Sequence, residues 1–140
     1  MRICIDSSVF IRGFQTNDTN IATLLGLIGQ ELTLSIPRLV AIEVTRNLLL
    51  FQQKRAFYKL FQQIDVAAIS DEPIPRTLID KYVRLGLPAK ADAFIGAFAE
   101  WQEINYLLSD NRHFLRRLQT PAFTVLTPDE FMARLKTGEL

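Results

Sequence analysis

The sequence is poor in residues that form crosslinks or bind soft metals, with one cysteine and one histidine in 140 residues. A lone cysteine cannot form an internal disulfide, and Cys4 lies in an apolar stretch that favours a buried, inert thiol. Zinc sites depend on cysteine and histidine ligands, so this composition argues against one. A metal site in this chain would have to use oxygen ligands, which suit hard cations such as Mg²⁺ or Mn²⁺.

A large net charge is also missing. The 16 Lys and Arg residues are balanced by 15 Asp and Glu residues, which leaves a formal charge of +1. The protein therefore has no global positive field of the kind that marks many nucleic-acid-binding proteins. A polyanion would have to be held by a local group of cations.

Long apolar runs are absent from the sequence as well. No run approaches the roughly 18 to 20 apolar residues that cross a bilayer. The opening "MRICIDSSVF" reaches an aspartate too early for the apolar core of a signal peptide. We therefore expect a cytoplasmic protein.

The overall composition is that of a globular protein. Hydrophobic residues make up 49% of the chain and charged residues 22%, which favours neither disorder nor a fibrous repeat. A chain of this length suits one compact core. We predict a single domain over residues 1–140.

Short, mostly apolar runs of four to six residues alternate with helical patterns along the chain. We predict strands in "RICI", "LTLSIP", "VAAI", "NYLLS" and "FTVL". After the first strand and a polar stretch, helices are predicted in "IATLLGLIG", "RLVAIEVTRNLLL", a segment with Phe57, Leu60, Phe61 and Ile64 on one side, "RTLIDKYVRLG", "AKADAFIGAFAEW", "NRHFLRRL" and "PDEFMARL". The last of these helices starts at a capping box formed by Thr127 and Glu130.

This alternation predicts a three-layer α/β/α sandwich with a parallel sheet of four or five strands. Connections between parallel strands are right-handed almost without exception. In open sheets of this kind, ligands bind beyond the carboxyl ends of the strands, where the strand order reverses. Polar residues at strand ends are therefore the first candidates for function.

Acidic and amide residues occur where such a ligand would bind. Asp6 ends the first strand, and Asp110 and Asn111 follow "NYLLS". Glu43 and Asp92 lie within otherwise apolar helical stretches, where a charge is costly unless it is paired or bound to a cation. Clustered carboxylates with one or two Mg²⁺ or Mn²⁺ ions commonly hydrolyse phosphodiesters, because the metal activates water and neutralises charge on the phosphate.

Each of these carboxylates also has an ordinary structural interpretation. Asp6 suits a turn after a strand. Glu43 is spaced to pair with Arg46, three residues on. Asp92 at a helix start is favoured by the helix dipole. The functional interpretation rests on their conjunction and order.

Four segments that carry these residues resemble the successive motifs of PIN-domain ribonucleases: "MRICIDSSVFIRG", "SIPRLVAIEVTRNL", "LPAKADAFIGAFAEW" and "NYLLSDNRHFL". The nearest match in size is the single-domain, VapC-like toxin of toxin–antitoxin pairs, and the resemblance covers nearly the whole chain. It implies a PIN-like domain over residues 1–140 and an endoribonuclease that depends on Mg²⁺ or Mn²⁺. It also implies a homodimer and a small antitoxin that occludes the cleft.

Residue by residue, the resemblance assigns the first three motifs to the metal site. Asp6, Glu43 and Asp92 match the family's catalytic, metal-binding carboxylates. Ser8 matches a nearby supporting polar residue. These three motifs are good matches to the family pattern.

The fourth motif departs from the family pattern, which is Thr or Ser, any residue, Asp, two residues, then Phe or Leu. In "SDNRHF", Ser109 takes the hydroxyl position as a second supporting residue, and Phe114 takes the apolar one. The expected aspartate then falls on Asn111, with Asp110 one residue early. Neighbours at an extended chain end point to opposite sides. Register favours Asn111 as the fourth catalytic and metal-binding residue, with Asp110 as the alternative.

Cations near these motifs are candidates for binding RNA. Arg12 and Arg112 are close enough in sequence to the proposed ligands to contact a phosphate. A basic stretch with interleaved aromatic residues fits an RNA backbone or an acidic partner peptide, although solvated helix faces more often explain such runs. Its members are Arg38, Arg46, Lys54, Arg55, Phe57, Tyr58 and Lys59.

Other functions fit the sequence less well. A phosphatase of the haloacid-dehalogenase type needs a second aspartate where Ser8 stands. A dinucleotide-binding protein needs a G-x-G-x-x-G turn after the first strand, and "DSSVFIRGF" has none. The remaining alternative is a non-catalytic PIN-like module that binds RNA or protein and has a degenerate fourth metal ligand.

Overall fold

A sheet of five parallel strands forms the centre of the protein, in a computed structural model that describes residues 1–88 and 90–140. The strands are β1 (Arg2–Ile5), β2 (Thr33–Pro37), β3 (Ala67–Ser70), β4 (Tyr106–Leu108) and β5 (Thr124–Leu126). They lie in the order β3-β2-β1-β4-β5, and every neighbouring pair is parallel. All five predicted strands are therefore confirmed.

Helices connect the strands and cover the sheet. They are α1 (Ser7–Thr16), α2 (Thr19–Gly26), α3 (Arg38–Asn47), α4 (Phe51–Lys59), α5 (Arg76–Arg84), α6 (Ala91–Trp101), a short π-helix (His113–Arg117) and α7 (Pro128–Thr137). Helix α1 packs against α2, α3 and α4, and α2 packs against α7, whereas α5 and α6 pack on each other. Right-handed connections put α5 and α6 on the opposite face of the sheet. The predicted α/β/α architecture is confirmed. Within the described ranges, the helices are all too short or too polar to span a membrane.

Strand β1 shows why these segments form the sheet. Ile3, Cys4 and Ile5 are all fully buried, as expected for a parallel strand covered by helices on both faces. Burial, with a smaller contribution from the charge of Asp6, raises the pKa of the Cys4 thiol. The predicted buried cysteine is confirmed, and the raised pKa keeps its thiol protonated.

The register of the sheet brings two strand ends together. Ile5 of β1 pairs with Leu108 of β4, so Asp6 and Ser109 leave the sheet side by side. The strand order reverses between β1 and β4, since β2 and β3 lie on one side and β5 on the other. This is the position at which open α/β sheets bind their ligands.

Two features of the helices differ from the predictions. The sequence pattern predicts a polar stretch after Asp6, but α1 begins at Ser7 and buries Val9 and Phe10 completely. The side chain of Asp6 caps this helix by accepting a hydrogen bond from Ser7 N. Ile64, predicted on the apolar side of α4, is 77% exposed because α4 ends at Lys59.

Helix α6 lies very close to its neighbours because of a glycine. A Cβ atom on Gly96 would lie 2.7 Å from Tyr82 Cδ1 and 2.9 Å from Leu87 Cδ1. These distances are shorter than a carbon contact allows, so a larger residue would push the helices apart. The close packing fixes α6, whose first turn carries Asp92.

Candidate active site

The end of β1 places a carboxylate inside the protein. Asp6 is only 5% exposed, and its side chain is held by three neighbours. Oδ1 accepts a hydrogen bond from Ser7 N at 2.8 Å. Oδ2 accepts hydrogen bonds from Ser109 Oγ at 2.9 Å and from Ser8 Oγ at 3.3 Å. The side chain therefore has one orientation, set by the turn into α1 and by the end of β4.

Burial opposes the ionised form of this carboxylate. The pKa of Asp6 is raised mainly by desolvation and further by the negative charge of Glu43, although the hydrogen bonds from Ser109, Ser7 and Ser8 lower it. All of these hydrogen-bond donors are neutral groups. A cation next to Asp6 would offset both the desolvation and the repulsion from Glu43.

A chain of hydrogen bonds connects Asp6 to a second predicted site residue. Ser109 Oγ, which donates to Asp6, accepts a hydrogen bond from Asn111 N at 2.9 Å. Asn111 Nδ2 donates to Asp92 Oδ2 over a long distance of 3.5 Å. Ser109 is fully buried, and Asp92 and Asn111 are half-buried. The structure thus brings β1, β4 and the start of α6 together through these side chains.

Glu43 approaches the same region from α3. Its side chain is exposed, so the burial cost predicted for Glu43 is absent, and that part of the sequence argument was wrong. It is nevertheless close enough to raise the pKa of Asp6. Among the described residues, its predicted alternative pairing with Arg46 is not formed.

The Asp110 side chain contacts Arg12, whereas the Asn111 side chain contacts Asp92. Its Oδ2 lies 3.0 Å from Arg12 Nε, an ion pair without hydrogen-bond geometry, and its Oδ1 accepts a hydrogen bond from Arg12 Nη2 at 3.4 Å. Arg12 Nη1 also donates to Asp18 Oδ2 at 3.3 Å. Arg112, the other predicted phosphate contact, is exposed just before the π-helix.

The side chains offer suitable donors for a hard divalent ion. Asp6, Glu43 and Asp92 supply carboxylate oxygens, which suit Mg²⁺ or Mn²⁺. In residues 1–88 and 90–140, however, no three Asp, Glu, His or Cys side chains converge into a ready-made metal cluster. The donor chemistry fits a hard cation, while the carboxylates stand apart from one another.

The pairing of Arg12 with Asp18 and Asp110 was missed by the sequence analysis. Asp18 carries a local signal, because it directly precedes α2 and caps it by accepting a hydrogen bond from Ile21 N. Its contact with Arg12 depends on α1, which was not predicted. Asp110 lies 98 positions from Arg12, and no local pattern connects two residues so far apart.

Comparisons with known proteins agree with this architecture. The model of the PIN domain family matches residues 3–119. Among solved structures, the chain is similar to a crystal structure of VapBC2 from Rickettsia felis, which is bound to a DNA fragment from the VapBC2 promoter. The TM-score is 0.63 and the sequence identity is 16%. The similarity covers 91% of this chain and 98% of that chain; at this identity it shows a shared fold alone. No curated protein matches the sequence.

Proposed function

The chain belongs to the PIN domain family, and we propose that it is an endoribonuclease that hydrolyses RNA phosphodiesters with Mg²⁺ or Mn²⁺ as its cofactor. PIN domains are typically nucleases that use divalent metal ions. The observation that carries the proposal is the buried carboxylate of Asp6, which lies where the strand order of the sheet reverses. Its pKa is raised by burial and by Glu43, and its hydrogen-bond donors are neutral, so a cation is the partner that would stabilise its ionised form.

In this proposal Asp6, Glu43 and Asp92 hold the ion, and Asn111 occupies the fourth position of the group. A divalent ion held by these residues would supply Lewis-acid chemistry, activating an attacking water and neutralising charge on the phosphate. In the hydrolysis, the water oxygen bonds to phosphorus as one bridging P–O bond breaks, and a water proton ends on the leaving oxygen, which gives a phosphate end and a hydroxyl end. The protein's part is to keep the carboxylates oriented around the reacting phosphate.

Supporting residues keep Asp6 in place. Ser8 Oγ and Ser109 Oγ both donate to its Oδ2, which leaves Oδ1 with Ser7 N as its close donor. Arg12 and Arg112 remain the candidate contacts for RNA phosphates near the site. We assign Ser8 and Ser109 to orienting Asp6 and not to the chemical step.

A basic surface on α4 supports a polyanionic substrate. Residues 44–64 carry four Lys or Arg side chains and no carboxylate. Phe51, Arg55, Tyr58 and Lys59 are all exposed and recur at helical spacing along one side of α4. Exposed aromatic rings stack on unpaired bases and neighbouring cations contact phosphates, so this surface suits single-stranded RNA.

The direct test is cleavage of RNA by the purified chain. Cleavage is expected with added Mn²⁺ and should stop with EDTA. Asp6→Ala and Asp92→Ala should each abolish it, while Asp71→Ala, which removes an exposed carboxylate paired with Arg38, should leave it intact. Circular dichroism confirms that each variant is folded. Strong cleavage that survives both site substitutions would refute the assignment.

We further propose that this nuclease is a VapC-like toxin, a homodimer whose cleft is occluded by a small antitoxin protein. The support is the family and the similar fold of VapBC2. A short open reading frame just upstream, encoding a DNA-binding protein whose co-expression relieves toxicity, is the expected genomic result. Sedimentation of the purified chain tests the homodimer, for which a mass near 32 kDa is expected, about twice the 16.0 kDa chain mass.

The alternative is a non-catalytic PIN-like module that binds RNA or another protein. Two observations favour it: a neutral amide stands at the fourth position, and the described residues contain no assembled cluster of three acidic ligands. A protein of this kind would bind single-stranded RNA and leave it intact with Mn²⁺. The cleavage assay therefore separates the two functions directly.

A further inference from the structure

The two neighbours at the end of β4 turn to different partners. The carboxylate of Asp110 is paired with Arg12 through both of its oxygens, at 3.0 and 3.4 Å. Its backbone N donates to Ser8 Oγ at 3.3 Å. Asn111 instead reaches Asp92 with its side chain. The side chains of these two adjacent residues therefore point in different directions, Asp110 to Arg12 and Asn111 to Asp92.

The orientation of the Asn111 amide is set by the backbone. Oδ1 accepts a hydrogen bond from His113 N at 2.9 Å, and only the oxygen end of an amide can accept from an N–H. The NH₂ end must therefore face Asp92, whose Oδ2 lies 3.5 Å away. An amide NH₂ has no lone pair with which to bind a cation, so the end of Asn111 that meets the acidic group is a donor.

We propose that Asn111 is a positioning residue that orients Asp92 through its NH₂ group and contributes no ligand to the metal. This inference rests on the proposed metal site. Asn111 holds Oδ2 of Asp92, so Oδ1 of Asp92 would be the oxygen that binds the ion. The negative charge around the ion then comes from three carboxylates, Asp6, Glu43 and Asp92, a set that suits a single divalent ion.

Three further contacts hold the donor in place. The backbone N of Asn111 donates to the buried Ser109 Oγ, and its backbone O accepts hydrogen bonds from Phe114 N and Leu115 N, each at 3.1 Å. Phe114 is fully buried and anchors the turn. The amide is thus oriented by its own chain segment before any ion binds, which is what a positioning residue requires.

The test is a double-mutant cycle read by Mn²⁺ affinity and not by activity. Asn111→Ser is the informative change, because the hydroxyl still accepts from His113 N but is too short to donate to Asp92. Mn²⁺ binding to the full chain is measured by electron paramagnetic resonance, with wild type, Asn111→Ser, Asp92→Ala and the double variant. Asn111→Ala repeats the cycle without a hydroxyl.

A positioning residue loses its effect when the residue that it positions is gone. Asn111→Ser should weaken Mn²⁺ binding by roughly 10-fold or more in the wild-type background. In the Asp92→Ala background it should change the affinity by less than about 2-fold. If Asn111 were itself a ligand, the same change would weaken binding further in both backgrounds, and that additive result would overturn the inference.

Asp110→Asn is the matched control, since it changes the adjacent carboxylate that Arg12 already neutralises. It should alter Mn²⁺ affinity less than Asn111→Ser does, and a larger loss would overturn the assignment of these two neighbours. Failure of the metal site itself gives a different result. In that case wild type and Asp6→Ala bind Mn²⁺ equally weakly, which removes the proposed function along with this inference.

Discussion

Ser109 is the residue whose removal most directly tests how the candidate site is held together. It is fully buried, and its hydroxyl joins two strand ends by donating to Asp6 Oδ2 and accepting from Asn111 N, both at 2.9 Å. Ser109→Ala removes both hydrogen bonds without creating a large cavity. A backbone N–H and a buried carboxylate each lose a partner.

The expected cost follows from these two bonds. A hydrogen bond to a charged group contributes about 1.5–3 kcal/mol and a neutral one about 0.5–1.5 kcal/mol. Together they predict a loss of about 3 kcal/mol in the free energy of unfolding. For a chain of this length, roughly 3 °C in Tm corresponds to 1 kcal/mol, so Tm should fall by roughly 10 °C.

The loss should also depend on pH. The Ser109 hydroxyl lowers the pKa of Asp6 because it binds the ionised carboxylate. Its contribution is therefore complete above the folded-state pKa of Asp6 in the Ser109→Ala variant, which is the higher of the two, and is partly lost as the pH falls from that value through the wild-type one. The destabilisation caused by Ser109→Ala should be smaller at acidic pH than at pH 7.

Urea unfolding in EDTA, followed by circular dichroism, measures both effects. Ser35→Ala is the control, because Ser35 lies on the neighbouring strand β2 and its hydroxyl makes no hydrogen bond with any described residue. It should change stability by less than about 0.5 kcal/mol. If Ser109→Ala lowered the free energy of unfolding by less than about 0.5 kcal/mol, or by the same amount at every pH, the bridging role of Ser109 would be refuted.

Two further predictions concern charge. The raised pKa of Asp6 makes wild-type stability fall as pH rises from the ordinary value of 3.8 through the folded value, and Asp6→Asn should remove this fall, so the stability of the metal-free variant relative to wild type should be higher at pH 7 than at pH 4. Urea unfolding in EDTA measures this difference, and a relative stability of the variant that does not rise with pH would contradict it. Changing Arg55 and Lys59 together to Gln should weaken single-stranded RNA binding roughly 10-fold in EDTA. The slope of log K against log salt concentration should become shallower by about 1.4. Fluorescence anisotropy checks this against Arg134 and Lys136, two exposed cations on α7, whose change to Gln should have a much smaller effect.

The fold was predictable where local signals are strong. Short apolar runs identified all five strands, and the capping box of Thr127 and Glu130 is present at the start of α7. Helix α1 was missed because its first turn, "SSV", carries two serines directly after an aspartate. Its buried side, with Val9 and Phe10, becomes apparent only when the helix is placed against the sheet.

The candidate site was predictable in its location and not in its contacts. Open parallel sheets bind ligands beyond the strand ends where the strand order reverses, which indicated this region. Strands β1 and β4 do bring Asp6 and Ser109 together there. The exposure of Glu43 was not predictable, because apolar neighbours in sequence do not report which side of α3 meets solvent. Whether these residues bind metal stays a prediction that the cleavage and Mn²⁺ experiments test.

The ion pair between Arg12 and Asp110 has a consequence for the charge of the site. A carboxylate one residue from Asn111 would add negative charge beside Asp92 if it were free, but Arg12 offsets that charge at 3.0 Å. The pair is about one third exposed, so solvent screens it and its contribution to stability is small. The ion pair instead sets the orientation of the Asp110 side chain. Because Asp110 is held toward α1, Asn111 is the neighbour that contacts Asp92. An aspartate next to the expected position therefore does not compensate for the neutral amide, and in the proposed site only Asp6, Glu43 and Asp92 would hold a divalent ion.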